Sequence, residues 1–425
     1  MLDTKTINEL IGIDESFKAS FKLKEVLLNE DSKNNLFKRF LAVEDDLTFD
    51  WFTDYFQEEH SDRKGKKQDF TPNSVAIIAS EILGVSESNA DFCAGTGGLT
   101  IKRYLDNPDS FFYCEEFSDR ALPFLLFNLA IRNLNAVVFH GDSLSRNQKN
   151  IFKLTKTDEF SKIEIADNFE QRKLKTVISN PPYSLPWSPQ KEMLEQDRFK
   201  GFDVLAPKSK ADYAFVLQGL NQLSENGTMT VILPHGVLFR GSAEGRIRKK
   251  IIEMNLLDAV IGLPEKLFLA TDIPTVILVL KKNRRNKDIL FIDASKDFEK
   301  GKNHNIMQDI HIQKVLEAYN TRKDQDKYSH LVSLEEIKEN DFNLNIPRYV
   351  DTFEPEILPP ISEITKELES VDKEIQKTAE SFGKMLNELQ GRTSESNAEL
   401  KALVEYWNKK YNIKVEHGEE QMSLL

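Results

Sequence analysis

The sequence predicts an α/β fold, a mainly parallel sheet with helices on both faces. Three observations carry that expectation. Short apolar runs recur at 89–92, 111–114, 136–139, 176–178, 228–233, 257–263, 275–280 and 289–293. Helical stretches such as 74–83 and 119–133 lie between most of them. Glycine, acidic or proline clusters follow several of the runs at once. Runs that are apolar throughout suit strands buried on both faces, and strand–helix alternation implies parallel pairing. Ligands of such sheets sit beyond the C-terminal strand ends, so chemistry is sought there.

The chain has 425 residues, enough for more than one structural unit. Hydrophobic residues make up 40% and charged residues 30%, ordinary values for a soluble globular protein. No apolar run has membrane-spanning length, and no charged-then-apolar leader follows Met1. The two cysteines, Cys93 and Cys114, each end an apolar run. They form neither a disulfide framework nor a CxxC metal spacing, and a reducing cytoplasm is the expected compartment. The net charge of −12 argues against a free-standing nucleic-acid binder. Basic stretches at 63–67, 246–250 and 281–287 read as solvated faces and helix ends.

Along the chain, residues 1–62 read as a helical N-terminal region of short amphipathic segments. The charged stretch 61–69 reads as a linker. Residues 63–350 carry the sheet, and 351–425 form a C-terminal helical segment. After Pro359-Pro360, apolar residues recur at alternating three and four spacing from Ile361 through Ile364, Leu368, Val371 and Ile375 to Leu389. That is a coiled-coil seam, which one helix cannot bury by itself. It packs either on its own domain or, the favoured reading, on another polypeptide.

Four strand ends offer chemistry. Asp91-Phe92-Cys93-Ala94 leads into Gly95-Thr96-Gly97-Gly98, where glycines allow a tight turn and close backbone approach to a ligand. The run 111–114 ends in Glu115-Glu116, and an acid at that place accepts ribose hydroxyls in nucleotide-binding sheets. The run 136–139 leads to Gly141-Asp142-Ser143, again an acid at a strand end. No GxxxxGK[ST] loop occurs, so a nucleoside without a pyrophosphate fits better than ATP or NAD.

The fourth is Asn180-Pro181-Pro182-Tyr183. Proline ends a ladder and forces the preceding residue into extended backbone. Two in series hold the carbonyls of Asn180 and Pro181 in fixed directions. The Asn180 side-chain oxygen and a neighbouring carbonyl can then converge on one planar amino group. Such acceptors favour a pyramidal nitrogen and stabilise the positive charge that develops during alkyl transfer. Tyr183 offers a stacking face, worth ~1–3 kcal/mol per base.

Together these residues resemble the S-adenosylmethionine-dependent amino-methyltransferases, and more closely the methylation subunit of type I restriction–modification systems. The resemblance implies a Rossmann-like methyltransferase sheet with a small helical N-terminal region and a C-terminal coiled-coil helix. It makes Asp91 to Gly98 the cofactor loop, Glu116 the ribose-binding acid in preference to Glu115, and Asp142 with Ser143 the acid turn near the cofactor adenine. Gln68-Asp69-Phe70-Thr71-Pro72-Asn73 resembles the stretch that closes over the methionine end of the cofactor. Its position before the glycine loop is typical of gamma-class DNA adenine N6-methyltransferases. The stretches 209–215, 233–241, 261–264 and 345–350 are also similar to that subunit, and Phe268 matches an aromatic that clamps the flipped base.

The resemblance thus implies methyl transfer from S-adenosylmethionine to adenine N6 in double-stranded DNA. The catalytic residues would be Asn180, Pro181, Pro182, Tyr183 and Phe268, with no metal. Expected partners are a DNA specificity subunit docked on the C-terminal helix, a restriction subunit with nuclease and translocase activity, and a second copy of this chain. Phe92 stands where the family often has proline, a change expected to reshape the loop and keep its glycines. Two rival functions remain: methylation of an RNA amino group or a protein glutamine, and a non-catalytic assembly role.

Overall fold

In the computed structural model, residues 2–59, 70–170, 172–269, 271–352 and 359–413 are described. The chain divides into two compact units, Met1–Thr352 and Phe353–Leu425.

The first unit opens with four helices, α1 (Thr4–Ile11), α2 (Ala19–Leu27), α3 (Glu30–Leu41) and α4 (Thr53–Glu59). Asp3 and Asn29 cap α1 and α3, accepting from backbone N–H groups at 2.8 and 3.0 Å. Then come α5 (Asn73–Leu83), β1 (Ser88–Asp91), α6 (Gly98–Asp106), β2 (Phe111–Glu116), α7 (Leu122–Ile131) and β3 (Asn135–Gly141). A hairpin, β4 (Gln148–Thr155) and β5 (Lys162–Ala166), precedes β6 (Leu174–Ser179). The order continues with α8 (Asp212–Gln222), β7 (Leu223–Pro234), α9 (Ser242–Glu253), β8 (Leu257–Gly262), β9 (Thr275–Lys281) and β10 (Ile289–Asp293). A small ribbon of β11 (Glu299–Lys300) and β12 (Asn305–Ile306) leads to α10 (Asp309–Thr321), β13 (Ser329–Val332) and α11 (Leu334–Glu339).

Among the described residues one sheet has eleven strands, in the order β13-β10-β8-β9-β7-β6-β1-β2-β3-β4-β5. All eight expected strands lie in it. The centre is parallel from β3 through β2, β1 and β6 to β7. β9 runs antiparallel between β7 and β8, a reversal that the uniform apolar runs did not reveal.

Alternation explains the two-sided burial. Val177, Val231, Val260 and Leu278 join one core with residues of α8 and α9. Their neighbours Ile178, Ile232, Ile261 and Ile277 join another with α5 and α10. The N-terminal helices share a third core with α7, β2 and β3, where Phe37, Phe40 and Phe52 surround Phe127 at 4.8–4.9 Å between ring centroids. Residues 186–208 are anchored by buried Trp187, Met193, Phe199 and Phe202.

The second unit contains α12 (Ile361–Glu388) and α13 (Ser394–Lys410). Thr393 starts α13 with a capping box. α13 packs on Ala379, Gly383 and Leu386, Phe382 meets the Trp407 ring at 4.8 Å, and Trp407 Nε1 donates to the Ala379 carbonyl at 3.0 Å. The expected seam is largely a different stripe, and Leu368, Val371, Ile375 and Met385 stay exposed on it. No described helix is long and apolar enough to cross a membrane.

Candidate active site

β1 and β6 are hydrogen-bonded parallel neighbours. Adjacent strands lie about 4.8 Å apart. The glycine loop after β1 and the Asn180-Pro181-Pro182-Tyr183 stretch after β6 therefore leave the same sheet edge side by side.

The glycine loop is shaped from three directions. Gly95 and Gly97 hold φ of +58° and +104°, the left-handed region that favours glycine. A Cβ on Gly97 would meet Leu125 Cδ1 at 3.1 Å, whereas one on Gly98 would meet nothing within 4 Å. The Phe70 ring lies over Gly95, 4.0 Å from the place of a Cβ. Gly95 N–H donates to Glu116 Oε2 at 2.8 Å, and Ser118 N–H donates to Oε1 at 2.7 Å. Both bonds fix the Glu116 carboxylate, a group of acceptors only, at the glycine loop.

Glu115 points to the other face, as period-two alternation requires. It is fully buried and accepts at Oε1 from Arg146, Tyr113 and Gln222 at 2.7–2.8 Å. Register thus turns Glu116 toward the glycine loop and Glu115 away from it.

Asp142 and Ser143 follow β3 as expected. Asp142 closes its own turn, accepting from Leu144 N–H and Ser145 Oγ at 2.8 Å each. Ser143 is buried, and its hydroxyl donates to the Phe92 carbonyl at 2.9 Å, tying this turn to the glycine loop. The Phe92 ring itself leaves the loop and stacks on Phe215 at 6.1 Å. The substitution for proline therefore changes the core beneath the loop.

Asp91 is 2% exposed. It accepts from Cys93 N–H at 3.3 Å and Thr100 Oγ1 at 3.4 Å. Burial, assisted by Glu116, pushes its carboxyl up to about 7. A carboxyl raised above its unfolded value of 3.8 costs stability once the unfolded chain ionises. The cost grows from about pH 4 and is complete above about pH 7. Asp91→Asn is therefore expected to raise Tm at pH 8, by at most about 4 kcal/mol of stability at 1.36 kcal/mol per pK unit. The gain shrinks as pH falls toward 4, which thermal melts across that range would check. A gain independent of pH would contradict the assignment.

Asn180 Nδ2 donates to Thr71 Oγ1 at 3.0 Å, which brings the 70–73 stretch against the proline turn. An amide held by its nitrogen offers its oxygen as the acceptor. Pro181 is buried, and Pro72 caps α5 just after Thr71. Tyr183 meets Phe268 edge-on, with centroids 5.9 Å apart and planes at 75°. Phe268 is only 3% exposed, so it stands beside Tyr183 as a brace, where the resemblance implied a second clamp face. Ser184 ends the turn at φ +48°, where its N–H donates to buried Asp212 Oδ1 at 2.7 Å. Arg240 donates to Asp212 Oδ2 at 2.8 Å and to Ser184 Oγ at 3.3 Å. Gln68 and Asp69 lie outside the described residues.

One residue of this site escaped the sequence reading. Asp50, upstream of α4, accepts from Asn128 Nδ2 at 2.7 Å and from Thr53 Oγ1 at 2.9 Å. It also accepts a short bond from Thr96 Oγ1. Asn128 in turn donates to the Thr96 carbonyl at 2.8 Å. Arg132 on the same side is 4% exposed and donates to the Leu47, Phe49 and Asn128 carbonyls. The N-terminal segment thus holds the glycine loop from behind.

Residues 45–356 match the family described as N-6 DNA Methylase. The chain is 30% identical over 351 residues to the "Type I restriction enzyme MpnII methylase subunit" of Mycoplasma pneumoniae, covering 78% of this chain and 61% of that one. It is 29% identical to the MjaVIII methylase subunit of Methanocaldococcus jannaschii, covering 90% and 68%. The chain thus spans about six- to seven-tenths of the length of these relatives. Among solved structures, the type I restriction-modification methyltransferase subunit from Streptococcus thermophilus is similar, with TM-score 0.63 and 36% identity over 82% of this chain and 76% of that one. The sheet, the loops gathered at one edge of it and a match over most of the sequence place this chain in the N-6 DNA Methylase family.

Proposed function

We propose that the chain transfers a methyl group from S-adenosylmethionine to N6 of adenine in double-stranded DNA, as the modification subunit of a type I restriction–modification complex. One observation carries the reading: Asn180-Pro181-Pro182-Tyr183 and the glycine loop leave neighbouring strands, with Thr71 joining the stretch before that loop to Asn180.

The site suits the cofactor. Gly98 faces open space, Glu116 stands at the loop as the acid for the ribose hydroxyls, and Asp142 with Ser143 stands after β3. Gly95, Thr96 and Gly97 shape the cradle, and Phe70 to Asn73 would close over its methionine end. When bound, S-adenosylmethionine supplies a methyl group already activated on a sulfonium.

The remaining work is alignment and acceptor placement. The target adenine leaves the duplex at a cost of a few kcal/mol. Tyr183 offsets this by stacking, held side-on by Phe268. The Asn180 oxygen and the Pro181 carbonyl accept the N6 hydrogens. As the nitrogen–carbon bond forms and the carbon–sulfur bond breaks, these acceptors stabilise the developing charge, and one N6 proton leaves to solvent. Labelled methyl offered to DNA, RNA and protein together tests the class. Label in DNA as N6-methyladenine is expected, and label confined to RNA or protein defeats it.

Sequence choice resides in a partner. The sizeable 186–208 loop is short for a recognition module, and its anchoring in the core supports the reading. The exposed stripe on α12 suits docking against helices of a specificity subunit, with two copies of this chain per complex and room for a restriction subunit. Both cysteines are free thiols, which suits a reducing cytoplasm. Leu368→Glu with Val371→Glu is expected to abolish co-purification with the recognition partner while the Tm of the first unit stays put. Efficient methylation of a defined site by this chain alone would contradict the division of labour.

A further inference from the structure

Two of the three basic stretches fall on described residues, and they meet different surroundings. In 281–287, Lys281 and Arg284 both pair with Asp258 at 3.1 Å, while Arg285 and Lys287 are exposed on a stretch that, among the described residues, lines no cavity with the proline turn. In 246–250, Arg248 is buried and donates to the Val237, Arg240 and Phe342 carbonyls at 2.8–3.1 Å. Arg246 and Lys249 are exposed on the same helix, α9. Arg246 has no ion-pair partner among the described residues, and Lys249 has Glu253 at 3.8 Å. Among the described residues, the side chain of exposed Arg348 bonds only a neutral group, Asn340 Oδ1, at 3.2 Å.

These three cations line one open cavity of ≈410 Å³, with Asn340, Asn343 and Phe239 also in its wall. One carboxylate of the wall, Asp341, lies beside them, and Glu253 stands 3.8 Å from Lys249. On a chain of net charge −12, that is a local reversal of sign. The cavity also stands beside the proline turn. β6 and β7 are parallel, so 180–184 and 235–241 leave the same edge. Arg240 joins the two regions, bonding Ser184 and Asp212 by its side chain and accepting from Arg248 at its carbonyl.

We propose that this cavity binds backbone phosphates of the target duplex, about one each for Arg246, Lys249 and Arg348. The inference rests on the DNA-methyltransferase reading and adds a hold on the strand made by this chain itself. Exposed cations with at most one long ion pair among them, set next to an amino-group pocket, match phosphodiesters near the extruded base. They position the strand and carry no sequence information.

The test uses the full chain and its Arg246→Ala/Lys249→Ala form, with duplex binding measured across salt concentrations. Each neutralised phosphate contributes about 0.9 to the slope of log affinity against log salt. The double variant is expected to lose about 2 from that slope, so the wild-type advantage shrinks about tenfold between 50 and 200 mM salt. KM for DNA rises, while kcat at saturating DNA and cofactor affinity stay unchanged. Arg348→Gln, which leaves α9 untouched, should lose about 1. Unchanged slopes in both variants, with a wild type that methylates DNA, overturn the phosphate site and leave the enzymatic reading standing. A wild type that binds no duplex at low salt overturns both. Saturable one-to-one binding of inorganic phosphate, abolished in the double variant while its DNA slope is unchanged, assigns the cavity to a free anion and overturns the proposal.

Discussion

Asn180→Ala is expected to cut methyl transfer by about 10²–10³-fold at saturating cofactor and DNA, the loss typical of removing one pre-placed polar group from a transition state. Cofactor affinity should change little. The glycine loop is held by Glu116, Ser143 and Asp50, while Asn180 is tied to Thr71. The effect belongs in kcat because the acceptor matters most when N6 becomes positive. Loss of the Thr71 bond is a separate contribution, and Thr71→Val isolates it. That variant removes the tether and keeps the acceptor, so a smaller drop, about tenfold, is expected. Single-turnover transfer and calorimetry of cofactor binding measure both. Asn180→Ala turnover close to wild type would remove Asn180 from the reaction.

Asp50→Ala should affect stability and cofactor binding together. The carboxylate joins Thr96 in the glycine loop to Asn128 on α7 and is the leading charge supporting buried Arg132. Burial depresses Arg132 to about 10, and Asp50 acts in the opposite direction. Without that carboxylate the guanidinium keeps its carbonyl acceptors and loses its counter-charge. Stranding a buried charge costs about 3 kcal/mol or more, a Tm drop of several degrees. Thr96 and Asn128 also lose their shared acceptor, so cofactor Kd should rise about tenfold, with kcat at saturation far less changed. Asp50→Asn, which keeps an acceptor without the charge, should recover part of the affinity. A purely structural part for Asp50 would lower Tm and leave Kd alone.

The legible parts of this protein are those written in local pattern. The central strands are rich in valine, isoleucine and leucine and buried on both faces, so they appear as continuous apolar runs. The β4–β5 hairpin was missed because half its residues face solvent, with lysines such as Lys153 and Lys162 between Phe152 and Ile163. The reversal of β9 was illegible because a strand buried on both sides reads alike in either direction. Glu116 was singled out from its neighbour by resemblance alone, and which of the two faces the glycine loop became visible only in the register. Asp50 lies 46 residues before Thr96, in a segment with no motif, and only tertiary folding brings the two together. Arg246 and Lys249 looked like ordinary helix charges, and what distinguishes them is Arg348, about a hundred residues later in the chain.

The two stripes on α12 bear on how fast a complex can assemble. α13 already braces the helix from one side, leaving the other apolar stripe in place on an ordered rod of 28 residues, about 42 Å long. With docking as proposed above, a partner would meet a preformed surface, so capture would carry little ordering entropy from this segment. Its rate should then follow encounter and orientation more than a disorder-to-order step.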